Sequence, residues 1–283
     1  MKLSIFTILM PEHTLEEICE FTASLGCAGI ELRVRDLSEE ERKGPFGFWG
    51  KHKADIGVKN LGSLAPEIRK TADKYKLEIP AVASYCMANE HADIEEIAKH
   101  LGTLGCKNFR VRPPWYDRAK HDYNELFKET AADFAKTEKV CRKYGVKALI
   151  ETHMNSITPS AGLTMRLAEK FDPEYIGVIH DPGNMVYEGY ENYLLGLQLI
   201  GKRLSHVHIK NSRWVLKDIS RDGFAQWKAE ACSLKAGAVD YKQFMADLKK
   251  IGYNGWFSCE DFSEGDPKTK LLNWVTDMKS LVI

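Results

Sequence analysis

Short apolar runs recur along the chain, and most are separated by segments in which apolar residues follow helical spacing. Runs that are apolar on both faces are typical of strands buried in a parallel sheet. Eight runs are predicted as strands, over 3–8, 28–33, 79–85, 108–112, 146–151, 175–181, 204–210 and 255–260. Their alternation with helices predicts a parallel α/β architecture.

Local signals place the helices between these strands. Thr14 and Glu17 have the spacing of a capping box, Asp93 and Glu96 repeat it, and Pro267 suits the first position of the last helix. The predicted helices cover 15–25, 64–75, 94–104 and 122–144, stretches near 160–170, 190–200 and 240–250, and the segment from 267 onward. Two stretches, 34–60 and 210–238, are predicted as long loops with aromatic residues, and loops of such length are usually functional or disordered.

Two folds fit this alternation, a closed (β/α)8 TIM barrel and a doubly wound open sheet. The barrel is favoured because no GxGxxG follows the first strand and no GxxxxGK[ST] occurs in the chain. A (β/α)8 barrel typically has about 250 residues, and this chain has 283. We therefore predict one (β/α)8 barrel domain over 1–283.

Charge balance and the lack of long apolar segments narrow the class of protein. Forty basic residues offset forty acidic ones, so no general positive field attracts a nucleic acid, and a small substrate is favoured. No apolar run approaches the length of a membrane span, and the chain opens directly on a strand, which predicts a cytoplasmic protein. The seven cysteines form no CxxC pair, and we expect them to be small buried residues in a reducing compartment.

The last four predicted strands all end in residues that can bind a metal. The candidate ligands are Glu151, His153, Asp181, His206, His208 and Glu260. In a closed barrel the carboxyl ends of the strands surround one cup, which is where enzymes of this fold place their chemistry. Residues two apart on a strand share a face. Glu151 and His153 are therefore expected to point the same way.

Three carboxylates crowded into one cup repel one another unless a cation lies between them. Oxygen-rich ligation with one imidazole suits Mn²⁺, Mg²⁺ or Co²⁺ and permits Zn²⁺. We expect one divalent metal ion, which can polarise a carbonyl and hold neighbouring hydroxyls. Glu151 and Glu260, at the first and last of the four strand ends, are the natural pair to remove a proton and to return one.

Several segments resemble the sugar phosphate isomerase/epimerase family, whose barrel is xylose isomerase-like. The similar segments are AGIELR (28–33), IETHMN (150–155), HDPGN (180–184), HVHIKN (206–211) and IGYNGWFSCEDF (251–262). The resemblance implies that Glu151, Asp181, His208 and Glu260 hold the metal and that the two glutamates act as proton donor and acceptor. It also implies that His206 lies beside the substrate or behind the ligands.

Two positions depart from the ketose 3-epimerases of that family. Their substrate-binding histidine is replaced by Asn184, and their second glutamate is replaced by Ile157. The predicted function is a sugar or keto-polyol isomerase or epimerase that acts through an enediolate. The alternatives are a lyase of the inosose dehydratase type, which loses a β-hydroxyl after the same proton removal, and a sugar-binding barrel without catalysis.

Other residues at the strand ends are assigned to the substrate. The predicted substrate-binding residues are His153, Asn184, His206, Lys210 and Arg112. Arg112 and Arg110 lie on one face of the fourth strand, and each suits either a substrate carboxylate or phosphate or an ion pair with Glu31 or Glu151. Lys210 suits either a substrate oxygen or an ion pair with Asp181.

Aromatic residues in the two long loops have two interpretations. These residues are Phe46, Phe48, Trp49, Trp214 and Trp227. They either cover the sugar or polyol substrate, or form the interface of a homodimer.

Overall fold

The computed structural model of the protein describes residues 1–281. Within them the strands are β1 (Lys2–Phe6), β2 (Gly29–Val34), β3 (Val82–Ser84), β4 (Asn108–Arg110), β5 (Lys147–Glu151), β6 (Ile176–His180), β7 (Leu204–Ile209), β8 (Asn211–Ile219), β9 (Ala225–Cys232) and β10 (Trp256–Cys259). All except β8 and β9 close into one parallel barrel in the order β1-β10-β7-β6-β5-β4-β3-β2. The predicted barrel fold is confirmed.

Helices connect most of the barrel strands. They are α1 (Leu15–Ser24), α2 (Glu39–Lys43), α3 (Val58–Lys74), α4 (His91–His100), α5 (Tyr123–Tyr144), α6 (Ala161–Ala168), α7 (Pro182–Met185), α8 (Tyr193–Ile200), α9 (Tyr241–Lys250) and α10 (Pro267–Ser280). The capping box before α1 is confirmed, since the Glu17 amide donates to Thr14 Oγ1 at 3.3 Å and the Thr14 amide donates to Glu17 Oε2 at 2.7 Å. No helix among residues 1–281 is long and apolar enough to cross a membrane.

Two predicted helix starts are wrong. Helix α3 begins at Val58 rather than at 64 and contains Pro66, so the weak helix formers before and at Pro66 hid its first turns from the sequence pattern. Helix α4 begins at His91, which places Asp93 inside its first turn instead of at its cap. An acidic residue there still interacts favourably with the helix dipole.

The loop predicted over 210–238 is largely an antiparallel hairpin, which corrects the sequence interpretation. Strands β8 and β9 pair from Asn211 with Cys232 to Ile219 with Ala225. Most of their side chains are exposed, so the hairpin lacks the apolar burial pattern that marks the barrel strands. The backbone amides and carbonyls of β8 and β9 hydrogen-bond to one another across the hairpin.

The loop after β2 is also partly ordered by secondary structure and by one arginine. It contains α2 and the first turns of α3, and Arg33 donates to Asp55 Oδ1 at 3.1 Å and to the Gly50 carbonyl at 2.8 Å. Arg33 is itself almost completely buried. This arginine therefore ties the aromatic part of the loop to the barrel.

Asn211 fixes the base of the hairpin to the segment before α9. Its amide nitrogen donates to the carbonyls of Leu234 and Val239 at 2.7 and 3.1 Å, and its Oδ1 accepts from the Val239 amide at 3.0 Å. A Cβ at Gly237 would lie 2.1 Å from that oxygen, so only glycine permits this close approach. The seven cysteines, as predicted, are buried and unpaired.

Replacing Asn211 with alanine should lower the free energy of unfolding by about 2–4 kcal/mol, because buried backbone groups lose their partners. Urea unfolding measures the change. The matched control is Asn254→Ala, which removes an exposed asparagine and should leave stability nearly unchanged. Equal effects of the two substitutions would contradict the role given to Asn211.

Candidate metal centre and active site

Four consecutive strands of the barrel wall, β5, β6, β7 and β10, bring the predicted ligands together. Glu151 ends β5, Asp181 follows β6, His208 lies in β7 and Glu260 follows β10. Each side chain is almost completely buried. One ligand atom from each lies within 4.8 Å of the others.

His208 is the centre of this cluster. Its Nδ1 lies 3.0 Å from Glu151 Oε1, 3.3 Å from Glu260 Oε1 and 4.0 Å from Asp181 Oδ2. Its Nε2 lies 3.0 Å from Oε1 of Glu31. Burial alone would lower the pKa of His208, but Glu260, Glu31 and Glu151 outweigh it and raise that pKa well above its usual value. These carboxylates favour the protonated form of the imidazole, and both ring nitrogens lie within hydrogen-bond distance of a carboxylate oxygen.

Glu31 on β2 is a fourth buried carboxylate that was not among the predicted ligands. Its Oε2 lies 3.3 Å from His206 Nε2. Burial opposes its ionisation, but His208 and His206 outweigh burial and lower the pKa of Glu31 below its usual range. The signal in the sequence was the same as for Glu151, an acidic residue within an apolar run.

Two cations neutralise the carboxylates from the cavity side. Lys210 Nζ lies 2.7 Å from Asp181 Oδ2 and 2.6 Å from Glu260 Oε2, so the predicted pair with Asp181 is confirmed. Arg110 contacts Glu151 Oε2 at 2.8 Å. Burial disfavours a charged Glu151, yet Arg110 and His208 hold its pKa well below the usual value. At Asp181 burial prevails over Lys210 and raises the pKa to about 7.

Asn184 lies behind the carboxylates. Its amide nitrogen donates to Asp181 Oδ2 at 2.9 Å and to Glu151 Oε1 at 3.3 Å, and its backbone amide donates to Asp181 Oδ1 at 2.9 Å at the start of α7. The preceding helix residue, Gly183, must be glycine because a Cβ there would lie 2.4 Å from the Lys210 carbonyl oxygen. Asn184 thus orients two predicted ligands.

The donor set fits a divalent ion. It offers carboxylate oxygens from three residues and one imidazole nitrogen, an arrangement that suits Mn²⁺, Mg²⁺ or Co²⁺ and permits Zn²⁺. Ligands bound at about 2.0–2.5 Å lie up to about 4–5 Å apart across an ion, and His208 Nδ1 lies 3.0, 3.3 and 4.0 Å from oxygens of Glu151, Glu260 and Asp181. Glu151, Asp181, His208 and Glu260 are therefore the residues that would hold it.

A cavity of about 290 Å³ opens above this cluster. Glu151, Glu260 and Lys210 lie on its floor. The aromatic residues that line its wall are Phe6, Phe48, Trp49, Tyr85, Tyr187 and Phe262. Known small-molecule sites have volumes of about 300–1,000 Å³. The cavity is therefore suited to a ligand of the size of one monosaccharide.

The loop aromatics divide into two groups. Phe48 and Trp49 line the cavity and pack on Phe262, with ring centroids 5.5 and 5.0 Å apart. Trp214 instead donates from Nε1 to the Val186 carbonyl at 2.7 Å, and Trp227 is exposed on the hairpin. The loop after β2 therefore supplies the aromatic cover, while Trp214, Trp227 and Phe46 are outside the cavity lining.

The predicted substrate-binding residues occupy two different places. His153, Lys210 and Arg112 line the cavity, whereas Asn184 and His206 are completely buried beneath it. Burial lowers the pKa of His153 to about 4, so its imidazole is neutral, and its Nδ1 lies 2.7 Å from the Met154 carbonyl. Direct contact between any of these residues and substrate stays a prediction.

Comparison with known proteins identifies one matching family and several relatives of this chain. The family described as xylose isomerase-like TIM barrel matches residues 19–281. Inosose dehydratase from Mesomycoplasma hyopneumoniae strain 7448 is 25% identical over 250 residues, which cover 78% of this chain and 79% of the relative. Inosose dehydratase from Geobacillus kaustophilus strain HTA426 is 24% identical over 229 residues, 71% of this chain and 72% of the relative.

Solved structures share the fold across nearly the whole chain. The 3-keto-D-glucoside 4-epimerase YcjR from E. coli has a TM-score of 0.71 at 14% identity and covers 99% of this chain and 98% of its own. The IolI protein with a bound zinc atom has a TM-score of 0.73 at 18% identity and covers 99% of this chain and 96% of its own. At these identities the two structures establish the common fold alone.

Binding of Mn²⁺ at pH 7 should release protons, because metal ligands must be deprotonated, neighbouring carboxylates raise the pKa of His208 and burial raises that of Asp181 to about 7. Because raised pKa values favour the protonated ligands, affinity should increase as pH rises through the pKa values of His208 and Asp181. Calorimetry in two buffers of different ionisation enthalpy measures the proton release. His208→Asn should reduce the proton release, the exposed control His121→Asn should leave it unchanged, and equal enthalpies in both buffers for the unmodified protein would contradict the assignment.

Proposed function

Because the chain belongs to the xylose isomerase-like TIM barrel family, we propose that it is a divalent-metal-dependent isomerase or epimerase of a small sugar or keto-polyol. The observation that carries the proposal is the position of Glu151 and Glu260, which share one buried cluster of ligand groups and line one cavity. We propose one enzyme domain over 1–283, acting on a small molecule in the cytoplasm.

The metal would be held by Glu151, Asp181, His208 and Glu260, with Mn²⁺, Mg²⁺, Co²⁺ or Zn²⁺ as candidates. When bound, such an ion polarises a carbonyl and makes the proton on the adjacent carbon more acidic. The residues of the chain then determine where that proton goes.

Glu151 and Glu260 are the proposed acid and base. They stand on the outer two of the four adjacent strands, with β6 and β7 between them, so their carboxylates approach a ligand in the cavity from two sides. One takes the proton next to the carbonyl to give an enediolate, and the other returns a proton to the opposite face or to the neighbouring carbon. This division of work requires one ionised and one protonated carboxyl group in each half of the reaction.

Arg110 and Lys210 support the two glutamates. Arg110 contacts Glu151 Oε2 at 2.8 Å and Lys210 contacts Glu260 Oε2 at 2.6 Å. Each cation stabilises the charged form of its carboxylate in a buried site, where an unpaired charge is costly. Phe48, Trp49 and Phe262 line the same cavity and would offer flat surfaces to the apolar face of a sugar.

Dehydration is the second candidate function, and a specific observation favours it. The sequence relatives named above are inosose dehydratases that match over more than two thirds of this chain, and Asn184 and Ile157 replace residues that the ketose 3-epimerases use. In that reaction a glutamate takes the same proton, the β carbon–oxygen bond breaks, and the hydroxyl leaves as water with a proton from the second carboxyl group. Both reactions need the same metal, base and cavity.

Incubation with candidate ketoses and inososes in D₂O should distinguish these functions by NMR and mass spectrometry. An isomerase or epimerase places solvent deuterium on carbon with no other mass change, whereas a dehydratase gives a product that has lost water. Glu151→Gln and Glu260→Gln should each lower either rate by roughly 100-fold or more, because each removes an acid–base group.

The exposed control Glu264→Gln should keep full activity. If the metal-loaded protein binds sugar but neither exchanges hydrogen nor loses water with any of these substrates, the barrel is a binding protein and the enzymatic proposal is wrong.

A further inference from the structure

Arg112 is a cation of the cavity wall that has no anionic partner in residues 1–281. We infer that the substrate carries a carboxylate or phosphate group and that Arg112 binds it. This inference rests on the proposed function, since it names the class of substrate for the same cavity.

The neighbouring cations are all paired. Arg110 contacts Glu151 and Lys210 contacts both Asp181 and Glu260. Two arginines at the end of β2 and just after it are paired as well, Arg33 with Asp55 and Arg35 with Glu41. Arg112 differs because its side chain makes no ion pair or hydrogen bond within the described part of the chain.

Two aromatic rings fix the position of the Arg112 guanidinium. Its central carbon lies 4.3 Å from the centroid of the Trp115 ring and 5.3 Å from that of Tyr85. Stacking of this kind holds the plane of the guanidinium but leaves its N–H groups unused. Those groups suit a carboxylate or phosphate, which accept two parallel hydrogen bonds.

The surroundings also disfavour an unpaired charge at this position. Arg112 is half-buried, and burial together with nearby Arg110 lowers its pKa to about 10. A protein cation held at such a site gains from an anion that enters with the ligand. A neutral sugar would leave this cation without an ion pair or a hydrogen-bonded anion.

The position fits one end of a substrate. Arg112, Glu151 and His153 together line both the main cavity and a narrow recess beside it, which also contacts Trp115 and Ser156. An acidic group that contacts Arg112 from the main cavity would lie beside Glu151, the carboxylate proposed to move the proton. The reacting carbon and the charged end of the substrate would then be fixed by separate residues.

Direct binding of anionic and neutral probes tests the inference. Inorganic phosphate and fructose 6-phosphate are compared with fructose, and glucuronate with glucose, by calorimetry and by the fluorescence change of the tryptophans, with and without added Mg²⁺. At least one anionic sugar should bind more tightly than its neutral counterpart, and whether it is the phosphate or the carboxylate identifies the anionic group.

Arg112→Gln should weaken the binding of that anionic probe by roughly 10- to 100-fold, as expected for a lost charged hydrogen bond. The affinity for the neutral sugar should stay unchanged. Arg118→Gln removes the same charge from an exposed position and should have little effect. Arg112→Lys, which keeps the charge, should give intermediate affinity and serves if the glutamine variant fails to fold.

Two outcomes would overturn the inference. One is that neither anion binds more tightly than its neutral counterpart, and the other is that Arg112→Gln and Arg118→Gln weaken the anion equally. Because these measurements need no turnover, an active enzyme with neutral substrates alone would refute the anion site and leave the proposed function intact. Anion binding through Arg112 without any proton exchange or dehydration would support the anion site and contradict the proposed function.

Discussion

Four carboxylates buried inside one barrel impose the main physical constraint on this protein. Moving an ionised carboxylate out of water costs several kcal/mol unless cations compensate it. Here Arg110 and Lys210 contact three of the carboxylates directly, and His208 bridges the cluster from its centre. The same crowding of negative charge makes the site suited to a divalent ion, because an ion replaces repulsion among the carboxylates with attraction.

The rest of the fold fixes the positions of these charged side chains. Parallel closure puts the ends of β5, β6, β7 and β10 side by side, and tight local contacts fix the segments that follow them. Gly183 allows α7 to approach the backbone of Lys210, and Asn211 anchors the hairpin immediately after that lysine. Arg33 ties down the loop that carries Phe48 and Trp49. Binding groups and cover are thus positioned by different parts of the chain.

The barrel and six candidate ligands could be predicted because each strand is an apolar run and the candidates lie at or near the end of one, and the family resemblance selected four of them. The partners of those ligands could not, since Glu31 meets His208 across the barrel from a distant part of the sequence. The hairpin was missed because its exposed strands carry no burial pattern. Which loop aromatics line the cavity depends on tertiary contacts. Phe48 and Trp227 are therefore indistinguishable in sequence, although of the two only Phe48 lines the cavity.

The most direct test of the metal centre is anomalous diffraction from crystals of the protein soaked in Mn²⁺. The account predicts a single strong peak at about 2.0–2.5 Å from His208 Nδ1 and from carboxylate oxygens of Glu151, Asp181 and Glu260. A peak elsewhere on the molecule, or none at these residues under saturating Mn²⁺, would contradict it.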